Sequence, residues 1–217
     1  ESSRDGVAVI GDMANLAWYA DQVVLLIAHS NALTSPTYQN QARQALLEAQ
    51  NALLQAVQLS PERVDLLVKL SKLQHMAGEV NAALATISQT TGNENATIEH
   101  LCSAAEQFQS LGEINGAVQC LERAVTKDQF GTGRPSPQLL ARLAEAYSEK
   151  QDLTAASDTY EKAISLAPES SSYYYERTNL LLKLGRSEDA FSCVETGISP
   201  SHADPTRPRL YFLAAWL

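Results

Sequence analysis

The chain has 217 residues, a hydrophobic content of 45%, a charged content of 19% and a formal net charge of −9. This balance excludes a disordered chain and is typical of a folded protein that is long enough to bury a sizeable core. The negative charge disfavours binding to nucleic-acid phosphates and anionic membrane surfaces, and the longest early apolar run, residues 23–28, is too short to cross a bilayer.

The first predicted element is a long amphipathic helix at residues 7–33, followed by the separating segment TSPTYQN at 34–40. Residues 1–40 are therefore expected to form an extended helix and linker, as a cap or as the first helix of a degenerate repeat. Residues 41–63 are expected to hold the second helix of that repeat. The segment VAVIGDMA at 7–14 does not predict a nucleotide site, because it lacks GxGxxG and no strand–helix alternation follows it.

Alanines recur along the chain at intervals of 34, 34, 39 and 34 residues: Ala49, Ala83, Ala117, Ala156 and Ala190. Four residues after each comes a larger side chain: Leu53, Ile87, Leu121, Tyr160 and Val194. Three residues further on comes a small one: Ala56, Thr90, Ala124, Ala163 and Gly197. Positions i, i+4 and i+7 share one helical face, so the pattern predicts helices that pack closely through these residues.

Another apolar pattern precedes each of the last four alanines and predicts the first helix of a pair. Gly78, Gly112 and Gly185, with Gln151 in the odd copy, follow these first helices and fit left-handed C-terminal caps. Ser60–Pro61 and Ser136–Pro137 are interpreted as helix starts, with an N-cap serine and a first-turn proline. Gln74 and Arg177 are polar where the pattern favours an apolar residue.

The stretch LLARLAEAYSEKQDLTAASDTYEKAISLAP at 139–168 resembles a tetratricopeptide (TPR) repeat, and LCSAAEQFQSLGEINGAVQCLERAV at 101–125 is similar to one. The family positions fall on Leu140, Leu143, Ala144, Tyr147, Ala156, Tyr160, Ala163 and Pro168. The resemblance implies an all-α fold, an α-solenoid of stacked helix–turn–helix repeats with about five TPR-like units in a right-handed superhelical array. The expected repeats are 64–97, 98–131, 137–170 and 171–204.

Two further segments complete the predicted organisation. The stretch DQFGTGRPSP at 128–137 contains the five residues that lengthen one interval to 39, and its Gly, Pro and Ser content predicts a loop, with the insertion at 132–136. GTGRPS within it lacks the Lys–Ser/Thr pair of a phosphate loop. Residues 205–217 are expected to begin a further helix, either truncated or capping.

In TPR proteins the first helices line a concave groove that binds peptides, so the resemblance implies a non-catalytic protein-interaction scaffold. Its partner would be a protein or peptide segment, without nucleic acid or membrane insertion. The groove face includes Asp65, Glu99, Ser148, Glu149, Glu176 and Lys183. The side chains selected as partner-binding are Val68, Lys69, Lys72, His75, Cys102, Ser103, Glu106, Gln109, Arg142, Glu145, Tyr175 and Asn179.

No catalytic, cofactor or metal site is predicted. The widely spaced Cys102, Cys120 and Cys193 are interpreted as small buried hydrophobes, which favours a reducing, cytoplasmic compartment. The four histidines, at 29, 75, 100 and 202, show no metal-ligand spacing. Two alternatives remain open: self-association through the N-terminal helix or the C-terminal apolar run, and a partner-recruiting arm of a larger enzyme. The sequence does not identify the partner.

Overall fold

The computed structural model describes residues 15–22, 24–25, 36–198 and 207–216, and every regular element in these ranges is an α-helix. Residues 15–22 and 24–25 are helical and are called the N-terminal helical segment. The helices that follow are α1 (Pro36–Leu59), α2 (Val64–Met76), α3 (Val80–Gly92), α4 (Ile98–Ser110), α5 (Ile114–Thr132), α6 (Pro137–Glu149), α7 (Leu153–Leu166), α8 (Ser171–Lys183), α9 (Ser187–Gly197) and α10 (Arg207–Trp216).

The chain divides into two compact units, Glu1–Gly116 and Ala117–Leu217, with the division inside α5. The expected repeat at 98–131 therefore extends across the division. The helices α2, α4, α6 and α8 begin at the first or second residue of ranges that the sequence assigned to repeats. The repeat boundaries themselves stay a prediction.

In the first unit, α2 packs against α1, α3 and α4, and α3 also packs against α4. Their apolar faces, with Ala20 of the N-terminal helical segment, enclose a core of Leu46, Ala49, Leu53, Ala56, Leu66, Leu70 and Leu73. Each of the buried leucines contributes about 1.5–3 kcal/mol relative to exposure to water. The predicted N-terminal helix at 7–33 is helical where it is described, and the rest of it lies outside the described residues.

In the second unit, α6 to α10 pack in sequence, and α10 also contacts α8. One core cluster holds Ala141, Ala144, Ala156, Tyr160 and Leu180. The other holds Tyr174, Leu181, Ala190, Cys193, Val194 and Leu210. The small alanines of α6 and α7 leave room for the Tyr160 ring between the helices.

The small–large–small register is buried throughout, as the periodicity predicts. All five repeating alanines are at most 1% exposed, and the larger residues at the next position are at most 3% exposed. Thr90 and Gly197 occupy the small position where three other copies have alanine, and both are buried. The five copies therefore share a position at which the helices approach each other closely.

Four helix ends share the same backbone turn. Gly78, Gly112, Gln151 and Gly185 have positive φ angles of 83°, 79°, 68° and 72°. In each turn this residue's N–H donates to the carbonyl three residues earlier, and the next N–H donates to the carbonyl five residues earlier. These two bonds define a Schellman motif, which satisfies carbonyls that the helix end would leave unpaired. The predicted left-handed caps are confirmed, including Gln151.

The two serine–proline helix starts have different outcomes. Ser136 is the N-cap of α6, where its side chain accepts a hydrogen bond from the Leu139 N–H at 3.3 Å and Pro137 occupies the first turn. The same interpretation of Ser60–Pro61 is wrong, because α2 begins at Val64 and its N-cap is Arg63, without a side-chain cap bond. The Arg63 N–H donates to the Ser60 carbonyl, so that residues 60–63 form a turn before the helix.

Two predicted connecting segments are partly helical. Residues 36–40 belong to α1, because a proline is tolerated in the first helical turn and Pro36 opens this helix. Residues 128–132 belong to α5, so the expectation of a loop from 128 is wrong. The insertion lengthens α5 to 19 residues, and Gly133, at φ 80°, follows the helix. Asp128 Oδ2 accepts a bond from the Ser136 N–H at 2.7 Å across the short remaining loop.

The two polar residues at apolar register positions are each paired with a second helix, which is that of the same expected repeat for Gln74 and that of the preceding repeat for Arg177. Gln74 is 7% exposed, and its Oε1 accepts a hydrogen bond from the Thr86 hydroxyl at 2.7 Å. The Arg177 side chain is 19% exposed, and its guanidinium lies 2.8 Å from Glu161. These pairings offset the cost of burying polar groups between helices.

Candidate functional site

A cleft in the first unit lies between the exposed faces of α2 and α4 and has a volume of about 300 Å³. This cleft, called cleft 1, is lined by Asp21, Asp65, Val68, Lys69, Lys72, Glu99, His100, Ser103, Glu106 and Gln107. Both helices turn their core residues away from it, so the lining side chains are the polar remainder of each amphipathic helix. The cleft is therefore mixed in charge.

The cations of cleft 1 have different surroundings. Lys69 is paired with Asp21 of the N-terminal helical segment, with its Nζ 2.5 Å from both carboxylate oxygens. Lys72 is exposed and has no ion-pair or hydrogen-bond partner among the described residues. A ligand carboxylate would therefore have to displace Asp21 to reach Lys69, whereas Lys72 is open to it.

One edge of cleft 1 is organised by Arg63 and Asp65. The guanidinium makes two bonds to the carboxylate, at 2.8 and 2.7 Å. This hydrogen bonding lowers the pKa of the Asp65 carboxyl below its usual value, so Asp65 is ionised across the neutral range. The pair fixes a negative group at the start of α2, where the helix dipole favours it.

His100 has a structural role at the start of α4. Its backbone N–H donates to the Thr97 hydroxyl at 3.2 Å, and its ring Nδ1 accepts from the Thr97 N–H at 3.4 Å. This reciprocal arrangement is a capping box in which a histidine takes the place usually held by Glu or Gln. The ring nitrogen at this position is thus engaged by backbone.

A second cleft, called cleft 2, lies in the second unit between α6 and α8 and has a volume of about 230 Å³. It is lined by Glu145, Ser148, Glu149, Tyr160, Glu176, Asn179, Leu180 and Lys183. Partial burial and the neighbouring Glu176 raise the pKa of the Glu145 carboxyl above its usual value. Each lining has a formal charge of −2, and in cleft 1 two of the carboxylates, Asp21 and Asp65, are held in ion pairs with Lys69 and Arg63.

The sequence-predicted residues fall into two groups. Seven of the twelve line a cleft: Val68, Lys69, Lys72, Ser103 and Glu106 in cleft 1, and Glu145 and Asn179 in cleft 2. The other five are His75, Cys102, Gln109, Arg142 and Tyr175, which are partly buried and line neither cleft. Binding by any of the twelve stays a prediction.

Two of those five have defined neighbours. His75 lies at the end of α2, with its Nδ1 3.3 Å from the Ser110 hydroxyl at the end of α4. The Tyr175 ring carries the Arg209 guanidinium of α10 at 5.9 Å from its centroid, within the range of a cation–π contact. Both side chains are thus occupied by contacts within their own units.

Sequence reasoning missed several lining residues. Asp21 reaches cleft 1 from outside the repeats, so repeat spacing carried no signal for it. Tyr160 was assigned to the core, and it is buried, yet it also lines cleft 2. The sequence did indicate that Tyr160 is unusual, because the other four copies have an aliphatic residue at this position and tyrosine adds a hydroxyl.

The described residues contain no group of three or more His, Cys, Asp or Glu side chains placed to hold a metal ion. The three cysteines, all within the described residues, form no disulfide, and Cys120 and Cys193 are buried while Cys102 is partly buried. In the described ranges, no helix combines the length and apolar character needed to cross a membrane.

Comparison with known proteins identifies the family. The model of the soluble NSF attachment protein (SNAP) family matches residues 66–186, which is more than half of the chain. The chain therefore belongs to the SNAP family. A STIP1 homolog of Dictyostelium discoideum is 35% identical over 103 residues, which cover 46% of this chain and 16% of that protein. The match thus spans a small part of that relative.

Solved structures with a similar fold include YrrB, described as a TPR protein with an unusual peptide-binding site, and MamA. The YrrB structure matches 91% of this chain and 100% of its own, at a TM-score of 0.54 and 13% identity. MamA matches 76% and 94%, at a TM-score of 0.52 and 18% identity. The expected TPR resemblance and the all-α helical-repeat fold class are confirmed.

Proposed function

We propose that this protein is a non-catalytic scaffold that binds a peptide or helical segment of a partner protein along the exposed faces of its first helices. The observation that carries the proposal is that α2 with α4, and α6 with α8, each form a cleft lined mainly by polar side chains. A surface of this kind recognises a segment through paired charges and hydrogen bonds.

Family membership supports the same class of function. The family's name describes attachment to another protein, and the YrrB structure is described as having a peptide-binding site. Neither description names the partner of this chain.

The test is a selection of phage-displayed random peptides on the purified chain, followed by affinity measurements on the enriched peptides by fluorescence anisotropy. Lys72→Glu reverses the open cation of cleft 1, and Glu145→Gln with Glu176→Gln neutralises cleft 2. Arg43→Glu, exposed on α1 outside both clefts, is the control. We expect enriched peptides to lose about tenfold or more in affinity for at least one cleft variant, because a charged hydrogen bond is lost.

Two outcomes would contradict the proposal. The first is a selection in which no peptide binds better than its scrambled sequence. The second is a set of binders whose affinity is the same for the natural chain, the cleft variants and Arg43→Glu. Either result would remove the clefts as a peptide-binding surface.

A second candidate function is self-association, which the apolar side chains of α10 favour. Leu210 is buried against α8 and α9, whereas Tyr211 is 51% and Phe212 77% exposed. In the N-terminal helical segment, Trp18 and Leu25 are also largely exposed. Sedimentation velocity over a hundredfold concentration range would test this function: a dimer that Phe212→Ser abolishes supports it, and a monomer throughout contradicts it.

A further inference from the structure

Three carboxylates meet in cleft 2. Glu145 and Glu149 lie one turn apart on α6, and Glu176 faces them from α8. Like charges at positions i and i+4 of a helix destabilise it, and a third carboxylate across the cleft adds to the repulsion. Lys183 is the cation among the lining residues, so the lining has a formal charge of −2. The cleft concentrates more negative charge than its own residues neutralise.

Tyr160 gives a second and independent indication of a ligand. The residue is 3% exposed and lines cleft 2, and its hydroxyl has no hydrogen-bond partner in the part of the chain that the structure describes. The hydroxyl is not one of the enclosed polar atoms, so it opens into cleft 2, where a bound group can reach it. The core packing uses the ring and leaves the hydroxyl available to a group bound in the cleft.

The Tyr160 ring is held firmly, which fixes the direction of its hydroxyl. It packs in the cluster that contains Ala141, Ala144 and Leu180, and its centroid lies 6.3 Å from that of Tyr173 at an interplanar angle of 41°. A preorganised polar group of this kind loses little conformational entropy when a ligand binds. The hydroxyl is thus suited to a specific contact.

The carboxylates and the phenol also influence each other electrostatically. Burial, followed by the repulsion of Glu176, raises the pKa of the Glu145 carboxyl. Burial, followed by the charges of Glu145 and Glu176, raises the pKa of the Tyr160 phenol. Both shifts mean that added negative charge is unfavourable here, and that a positive group would be favourable.

We infer that cleft 2 binds the guanidinium of an arginine side chain in the partner segment, held by Glu145, Glu176 and the Tyr160 hydroxyl. Guanidinium has five N–H donors in one plane and can serve several acceptors at once, whereas an ammonium is a compact point charge. Asn179, also in the lining, offers a further carbonyl oxygen. This inference rests on the proposed function, because the arginine belongs to the bound segment.

The probe for the test is the capped tripeptide Ac-Gly-Arg-Gly-NH₂, and its matched control is the citrulline peptide Ac-Gly-Cit-Gly-NH₂, which has the same shape without the charge. Titration into the ¹⁵N-labelled full chain is followed by ¹H–¹⁵N spectra. We expect saturable shifts confined to amides of residues 145–149 and 176–183 with the arginine peptide. Citrulline at the same concentration should give no saturable shift.

Two double variants distinguish a specific binding site from general attraction between opposite charges, and a single variant tests the tyrosine. Glu145→Gln with Glu176→Gln removes two charges in the cleft, and Glu188→Gln with Glu195→Gln removes two exposed charges of α9 outside it. We expect the first pair to weaken binding about tenfold or more and the second to leave it within twofold, because screened surface charges contribute little. Tyr160→Phe, which keeps the packing, should weaken binding about threefold or more, since one hydrogen bond is lost.

Four results would overturn the inference: citrulline binding as tightly as arginine, Ac-Gly-Lys-Gly-NH₂ binding as tightly as arginine, equal losses in the two double variants, or shifts outside cleft 2. These results leave the proposed function standing if the phage selection yields segments that depend on the clefts. Failure of that selection, with arginine binding intact, would instead count against the scaffold function alone. The two failures are therefore distinguishable.

Discussion

Gly116, in the first turn of α5, lies directly against the ring of Phe108 at the end of α4. A Cβ added to Gly116 would stand 2.5 Å from Cδ1 of that ring and within 2.8 Å of two more ring carbons. Real side chains do not approach so closely, so the glycine is required by the position of the aromatic ring. Both residues lie in the first unit.

The first prediction concerns this contact. We expect Gly116→Ala to lower the free energy of unfolding by about 1–3 kcal/mol, because overpacking displaces the Phe108 ring. Gly131→Ala is the control on the same helix, since a Cβ there meets nothing within 4 Å. That variant should be stabilising by up to about 1 kcal/mol through helix propensity. Urea denaturation followed by circular dichroism measures both, and equal effects of the two substitutions would contradict the prediction.

The second prediction tests the repeating alanines. Ala83 is fully buried on α3, and its carbonyl accepts a hydrogen bond from the Ser71 hydroxyl of α2 at 2.9 Å, which shows how closely the helices approach. We expect Ala83→Leu to cost about 1–3 kcal/mol in the free energy of unfolding. Ala85→Leu, exposed on the same helix, should change it by less than about 0.5 kcal/mol. A neutral Ala83→Leu in chemical denaturation would show that this position tolerates a larger side chain.

The third prediction concerns the Schellman turns. Gln151 adopts φ 68°, a left-handed conformation that costs about 1 kcal/mol or more for a residue with a Cβ. Gln151→Gly should therefore raise the free energy of unfolding by up to about 1 kcal/mol, and Gly185→Gln, its converse at φ 72°, should lower it by about as much. Thermal melts of both variants check this expectation. Changes of the same sign would refute it.

The fourth prediction concerns pH. The folded-state pKa of Glu145 is raised, so its ionisation destabilises the fold: stability is highest below the unfolded pKa and falls as the pH rises through the folded pKa. Glu145→Gln should therefore stabilise the protein at pH 7, by less than about 1 kcal/mol because water screens an exposed carboxylate. The charged or titratable groups facing Glu145 are Arg142, Glu149, Tyr160, Tyr173, Glu176 and Lys183.

Melting temperatures of Glu145→Gln and the natural chain, compared between pH 7 and pH 4, give the measurement. The advantage of the variant should shrink toward pH 4, where the natural carboxyl becomes protonated. Glu188→Gln, in the exposed first turn of α9, should show no gain at either pH, because an acidic residue is favourable there. A gain that persists at pH 4 would assign the effect to something other than charge.

The sequence predicted those parts of the fold that depend on local spacing. Alanine periodicity identified the buried helix faces, and glycine positions identified the left-handed turns, because close packing and positive φ each demand a small residue. It failed where several backbone solutions were compatible with the same residues. Ser60–Pro61 formed a turn in place of a cap, and the glycine-containing segment at 128–132 continued α5 because a helix tolerates a glycine near its end.

The binding faces were predicted less completely than the core. Repeat register locates the exposed face of a first helix, which is how Lys72, Glu145 and Asn179 were selected. It cannot locate a contact made from outside the repeats, such as the ion pair between Asp21 and Lys69, whose residues are 48 positions apart. Repeat register is also insufficient for Tyr160, because it predicts only that the ring is buried. It does not predict that the hydroxyl opens into cleft 2.

The four Schellman turns are closed by main-chain groups alone, and each constrains the identity of a single residue. Substitutions on the exposed face of a helix pair can therefore accumulate while the turn between its two helices is unchanged. Such independence allows neighbouring segments of one polypeptide to present different side chains without any change in architecture. In this molecule the turn at Gly78 accompanies a cleft in which two carboxylates are held in ion pairs, and the turn at Gln151 accompanies one in which three carboxylates surround a tyrosine.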